Sequence, residues 1–201
     1  MQKKSLQCPQ CGSELPLYFK YSKMITCPYC KSTIFLEDDA VKLAGIESVI
    51  NDEPSLLHIY KAFEYEGDIY RPIGRLQYRV DRYLWDEWWV VGNDGEAFWL
   101  SVDDGDYIAE KEIPFELELD SYDSVELGDR VSSWIVTEKG EGILEAFEGE
   151  LPEVPKIGEK HHYIHLSDND GTMLTAEFYD GQKSLYMGKW IDPFEIREIL
   201  K

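Results

Sequence analysis

Four cysteines, spaced Cys8-Pro9-Gln10-Cys11 and Cys27-Pro28-Tyr29-Cys30 with fifteen residues between the pairs, constrain this chain more than any other feature. In such an arrangement each pair caps a tight turn, and four thiolates converge on one tetrahedral ion. Pro9 and Pro28 pre-set the turns, and Gly12 supplies the backbone freedom that a ligand knuckle needs. Two disulfides would require an oxidising compartment, for which nothing else in the sequence speaks. A redox pair of the thioredoxin kind would need one Cys-x-x-Cys beside a βαβ pattern. Iron–sulfur sites use four thiolates at other spacings. The reading is a structural Zn2+ site on Cys8, Cys11, Cys27 and Cys30, with no coordination position left open for catalysis. Residues 1–36 bury too little apolar surface to fold alone, so the metal supplies most of this module's folding energy.

Charge divides the chain at the same place. Residues 1–36 hold Lys3, Lys4, Lys20, Lys23 and Lys31 against Glu14, a formal +4, and the remainder carries −24, which returns the total of −20. Four thiolates on a dication leave the metal site at −2, so the loaded ribbon is nearer +2. The expected organisation is a zinc ribbon over 1–36, a connector over 37–54 and an acidic β domain over 55–201. An excess of 40 acids over 20 bases argues against a nucleic-acid backbone as partner, because such binding displaces counterions with Lys and Arg. Hydrophobic residues at 43% and aromatics at 13% place the chain among folded proteins. No apolar run reaches membrane-spanning length and the first residues lack a signal-peptide stretch, so a soluble, cytoplasmic protein without membrane insertion is expected.

Residues 40–50 fit neither helix nor strand period cleanly, with a strand favoured over Ile46–Ile50. Beyond residue 60 the pattern is β throughout: Tyr70–Val80, Glu87–Val91, Ala97–Val102, Val131–Val136, Glu141–Glu145, Tyr163–Leu166, Met173–Tyr179 and Ser184–Trp190 are short, aromatic and β-branched. The strongest turn, Gly92-Asn93-Asp94-Gly95, joins strands carrying Trp88, Trp89, Phe98 and Trp99. Many short strands at this spacing predict an antiparallel barrel or sandwich. Asp192 as N-cap and Pro193 at the first helical position predict a C-terminal helix over 192–201. The turns Asp94-Gly95 and Asp104-Gly105 recur 76 positions later as Asp170-Gly171 and Asp180-Gly181, which suggests a duplicated unit, about 60–115 and 125–195.

The segments Gly67-Asp68-Ile69-Tyr70-Arg71-Pro72-Ile73-Gly74-Arg75, Trp85-Asp86-Glu87-Trp88, Gly95-Glu96-Ala97-Phe98-Trp99-Leu100 and Glu148-Gly149-Glu150-Leu151-Pro152 resemble the bacterial family catalogued as domain of unknown function 4178. The resemblance covers about residues 55–197. It implies a bacterial accessory protein, often with an N-terminal zinc ribbon, and brings no established activity to any residue.

The inventory for catalysis is thin. With the cysteines committed to metal, the histidines are His58, His161, His162 and His165. On a strand, His161 and His165 share a face but stand about 13 Å apart, too far for one ion, so they read as ordinary histidines on a sheet surface. Asp168-Asn169-Asp170-Gly171 opens like a calcium loop but lacks the distal acid, and reads as a hairpin turn. Carboxylate pairs are too plentiful to single any out. Trp88 and Trp89 fall on opposite faces of one strand, so one of them needs cover from a second layer, the ribbon or a partner. Large aromatics also supply the core area that a small β barrel needs, and the core reading is favoured; Trp89 or Trp85 is the expected exposed member, and the two are the candidate interaction surface.

Two functional readings follow. The first is a non-enzymatic adaptor acting through protein–protein contacts, with a basic partner suggested by the acidic body. The second is an enzyme or small-ligand binder with a site in an acidic, aromatic-lined β cleft. A pocket holding a buried acid of raised pKa near a histidine favours the second, and an exposed apolar patch near the ribbon the first.

Overall fold

A computed structural model describes residues 4–37, 40–43, 48–51, 54–114, 116–179 and 181–199. It is almost entirely β. The cysteine module contains β1 (Lys4–Gln7), β2 (Glu14–Leu17), β3 (Met24–Thr26), β4 (Thr33–Glu37) and β5 (Ala40–Leu43). The body contains β6 (Phe63–Tyr65), β7 (Asp68–Val80), β8 (Tyr83–Gly92), β9 (Ala97–Asp103), β10 (Asp106–Glu112), β11 (Arg130–Val131), β12 (Trp134–Leu151), β13 (Lys160–Ser167), β14 (Met173–Tyr179), β15 (Gln182–Ile191) and β16 (Arg197–Glu198).

Strands β7–β8–β9–β10 and β12–β13–β14–β15 form two antiparallel meanders of the same order. Pairing of β10 with β15 and of β7 with β12 closes them into an eight-stranded antiparallel barrel. Closure removes the exposed edges that an open sheet would present. At the β7–β12 seam two glycines face each other, and a Cβ on Gly74 would lie 2.3 Å from the Glu150 carbonyl oxygen. Gly149 stands at φ +77 with Ile73 O 2.2 Å from where its Cβ would be, so the seam closes only with glycine on both strands.

Both faces of the barrel wall are covered. Outward-facing Trp88, Val90, Leu100 and Tyr107 pack under Leu57, Phe63 and Tyr65, which precede the first meander. Outward-facing Val136, Ile164, Leu166, Leu174 and Leu185 pack under Leu117, Leu119 and Val131, which precede the second. Outward Arg75 lies over the Trp88 ring at 4.6 Å and pairs with Asp86 at 2.7 Å. Two of the body's apolar clusters therefore lie outside the barrel, while a third, around Leu76, Leu144 and Phe147, fills part of the lumen and leaves the rest for other chemistry.

Four expectations are corrected. The strands expected at Val131–Val136 and Glu141–Glu145 are, apart from the short β11, one 18-residue strand, β12. Gly140 and Gly142 imitate a turn in sequence, but here they make room for rings: a Cβ on Gly142 would stand 2.0 Å from Trp85, and one on Gly140 2.2 Å from Tyr163. Strand β10 was hidden by its charges Asp106, Glu110, Lys111 and Glu112. The C-terminal helix is a single 3-10 turn, Pro193–Glu195; Asp192 does accept from Phe194 N at 2.9 Å. Ile196 then turns extended and Arg197–Glu198 pairs with β6, so sheet pairing overrides the helix signal. Of the strand expected over Ile46–Ile50, residues 48–50 have no regular structure and the remainder lies outside the described residues. The Asp94-Gly95 and Asp104-Gly105 turns join β8–β9–β10, and the turns around Asp170-Gly171 and Gly181 join β13–β14–β15; Asp180 lies outside the described residues.

The cysteine module is joined to the barrel by strand pairing. The end of β12 continues onto β3 through Glu150↔Ile25 and Leu151↔Met24. Buried Glu150 accepts from Tyr18 N at 3.0 Å, Phe19 N at 2.6 Å and the Ser22 hydroxyl at 2.6 Å. Met24 and Phe35 pack onto lumen-facing Leu76 and Phe147, and Phe19 meets Trp89 edge-on at 5.5 Å, so the cysteine module caps that part of the lumen.

Candidate functional site

The four cysteines converge as their spacing requires. Their sulfurs lie within 4.8 Å of one another, with Cys8–Cys30 at 3.7 Å and Cys11–Cys27 at 3.8 Å. A tetrahedron with metal–sulfur bonds of about 2.3 Å has edges of about 3.8 Å, so the set fits a metal ion held by four thiolates. The two knuckles are copies of one turn. Cys8 N donates to Ser13 O and Gly12 N to Cys8 O, while Cys27 N donates to Ser32 O and Lys31 N to Cys27 O, all at 2.8–2.9 Å. Gly12 (φ +74) and Lys31 (φ +61) occupy the same left-handed position, so glycine is used in only one of the two. Ser13 Oγ lies 3.3 Å from Cys11 Sγ and Ser32 Oγ 3.3 Å from Cys30 Sγ, placed to donate to thiolates.

A second cluster lies inside the barrel. Cross-strand register puts Tyr78, Trp85, Glu87, Ser101, Glu110, Tyr186, Thr175, Glu177, His161, Tyr163 and His165 on the inward face. Two cavities of about 130 and 150 Å³ share Glu87, His161 and Glu177 as a common wall. The first also meets Tyr78, Tyr179 and Tyr186, the second Glu110, Thr175, Trp85 and Tyr163.

The carboxyls here lack a cationic partner among the described residues. Glu110, at 4% exposure, takes the Thr175 hydroxyl, and Glu87 takes the indole N–H of Trp85 at 3.1 Å. Burial, then the charge of Glu110, pushes Glu87 up to about 8 although it keeps surface along the cavity. Burial, then Glu87 and Glu110, raises Glu177 well above the carboxylate range, and burial raises Glu110. Burial holds His161 down to about 4. Its Nε2 stands 3.6 Å from Glu177 Oε1, beyond hydrogen-bond reach, and with an uncharged imidazole the approach is no ion pair. Acids of raised proton affinity beside a neutral imidazole can donate, accept or release protons to a molecule admitted between them.

The two tryptophans of the candidate interaction surface are covered to different degrees. Trp85 is buried at 8% exposure in the lumen, stacked on Tyr78 at 4.9 Å, because Gly142 opposite leaves space for it. Trp89 is half-buried between Trp99 and Phe19, covered by the ribbon. The histidines divide by strand parity. His162 faces outward, stacked on Tyr122 and 2.7 Å from Glu141, whereas His161 is buried inside, contrary to the surface expectation. Asp168 acts as the expected turn residue, its Oδ1 accepting from Asp170 N and Thr172 N at 2.9 Å. Sequence reasoning missed Glu87, Glu110 and Glu177 because acids on alternate strand positions look like a solvent face. The available signal was Trp88 beside Trp89, which requires a sheet buried on both sides.

Three of the four segments that carried the family resemblance meet at one seam, the fourth, residues 95–100, running along β9. Glu66 and Gly67, both at positive φ, turn β6 into β7, Gly74 opposes Gly149, Arg75 reaches Asp86 and Glu148, and Glu150 holds the ribbon. Residues 61–193 match the family described as Domain of unknown function (DUF4178), and the chain belongs to that family. No curated protein and no solved structure matches it. Among the described residues no helix is long and apolar enough to cross a membrane.

Proposed function

We propose that this member of the DUF4178 family is a small-ligand-binding barrel whose lumen is the binding site and whose ribbon, held by a structural zinc ion, caps it. One observation carries the reading: a cavity wall shared by Glu87, His161 and Glu177, acids of raised pKa beside a neutral histidine. That is the feature by which the sequence distinguishes a cleft-based function from an adaptor. The adaptor reading loses its tryptophans to the lumen and to the ribbon contact.

In this reading the aromatic walls give contact area and the acids give orientation, while the outer layers keep the barrel shape fixed with or without a ligand. Zinc is the metal that suits four thiolates in a closed tetrahedral site, and its task is to order the segment that holds Glu150 and Phe19 against the barrel. The test is a thermal-shift screen of small amines, alcohols, sugars and carboxylates against the wild type and Ser101→Leu, which fills the lumen between Glu87 and Ile108. The expected result is a class that raises Tm in the wild type and not in the variant. Ligands whose effect survives in Ser101→Leu would overturn the lumen as the site.

A further inference from the structure

Resting on the lumen reading, we propose that the molecule admitted there is a small organic cation bearing a primary ammonium group. Three glutamates on the inward face, Glu87, Glu110 and Glu177, have no lysine or arginine paired with them among the described residues. An acidic cluster alone would mean little, but two further polar side chains line the cavities, Tyr78 the first and His161 both. Tyr78 and His161 are 7% and 8% exposed and neither makes a hydrogen bond among the described residues; each lines the cavity wall. Buried polar groups are ordinarily bonded, so unbonded ones at a cavity mark a missing partner.

The partner's chemistry follows from what surrounds it. The cysteine set is the one group of described residues whose donors lie close enough together to hold a metal ion, so the lumen acids enclose a space instead of closing a coordination sphere. The Glu110-side cavity has no lysine or arginine in its lining, and its rim carries Asp103, Asp104 and Asp106. A low-dielectric cleft rimmed by one sign of charge concentrates the opposite ion. A primary ammonium brings one positive charge and three donors for carboxylate, phenol and imidazole acceptors. Trp85 and Tyr163, in edge contact at 5.7 Å, add ring faces that attract the same charge. Without a cation, burial keeps the carboxyls protonated; an ammonium would return them to their charged form. The first cavity also carries Lys156 and Lys160 in its lining, paired with Glu159 and Glu141, whereas the wall that both cavities share offers an anion only Glu87, His161 and Glu177.

The experiment is calorimetric titration of the full-length, metal-loaded protein at pH 7.5 with three probes of like size: n-butylammonium chloride, butan-1-ol and sodium butanoate. The expected order is measurable binding of butylammonium, at least tenfold weaker binding of butanol, and none of butanoate. Glu177→Gln and, independently, Glu87→Gln should each weaken butylammonium at least tenfold while keeping the wild-type circular-dichroism spectrum. Equal or tighter binding of butanol or butanoate overturns the cationic class and leaves the lumen reading standing. Butylammonium binding that both glutamine variants retain overturns the assigned site. Silence from all three probes overturns the ammonium proposal, and the lumen reading is then decided by the Ser101→Leu screen.

Discussion

The outer and inner faces of the same eight strands have opposite characters. Outside, Trp88, Leu100, Ile164, Leu166 and Leu174 are sealed under segments of the chain itself. Inside, the wall alternates aromatic rings with Glu87, Glu110, Glu177 and His161 around cavities. A small barrel commonly fills its lumen with apolar side chains, which then serve as its core. Here two of the body's apolar clusters lie in the outer layers, the third fills the part of the lumen around Leu76, Leu144 and Phe147, and the rest of the inner face carries groups that cost stability. In the proposed reading the outer face serves stability and the inner face binding, and substitutions on adjacent residues should behave in opposite ways.

The largest effect is expected outside. Trp88→Ala and Leu166→Ala remove side chains that are at most 1% exposed, and each should lower unfolding free energy by about 2–5 kcal/mol in chemical denaturation. Losses below about 1 kcal/mol at both would place the core elsewhere. Metal removal comes next. Chelation, or Cys27→Ser, should abolish hydrogen-exchange protection in β3 and β4 and lower Tm by several degrees through the lost Phe19–Trp89 and Met24 contacts. The purified chain should carry one zinc per molecule by elemental analysis, and an equally stable metal-free protein would contradict the ribbon's role.

Inside, the sign reverses. Glu87 binds a proton in the folded state up to about pH 8 but releases it near 4.5 when unfolded, so stability falls as pH rises between those values. His161 acts oppositely between about 4 and 6.5, where the unfolded chain takes up the proton. The decline should therefore be clearest between pH 6.5 and 8, on the order of 1–2 kcal/mol, and Glu87→Gln should flatten it. Unchanged pH dependence in the variant would remove Glu87 from the account. The smallest effect belongs to the exposed group Lys160–Glu141–His162, where Glu141→Gln should shift stability by less than about 0.5 kcal/mol.

How much was legible follows the same division. Alternation and aromatic content placed most barrel strands, and the cysteine spacing placed the metal cluster, because both signals are local. The seam and the lumen are not local. The break expected between Val136 and Glu141 disappears into one strand, in which Gly140 and Gly142 make room for the rings of Tyr163 and Trp85, brought from other strands. Glu87, Glu110 and Glu177 come from three separate strands, and only closure of β10 on β15 and β7 on β12 turns their shared face inward. His161 was misread for the same reason: on an open sheet it would face water. The C-terminal turn shows the converse, where Asp192 and Pro193 start a helix that pairing with Phe63 and Glu64 ends after one turn.

The central claim is that the lumen holds carboxyls out of their ordinary ionisation, ready for a bound partner. Carbon-detected NMR titration of the glutamate side-chain carboxyls reads this directly in the ligand-free protein. The account predicts a Glu87 midpoint near 8 and a Glu177 midpoint well above the carboxylate range. Midpoints at the ordinary value of about 4.3 for both would contradict it.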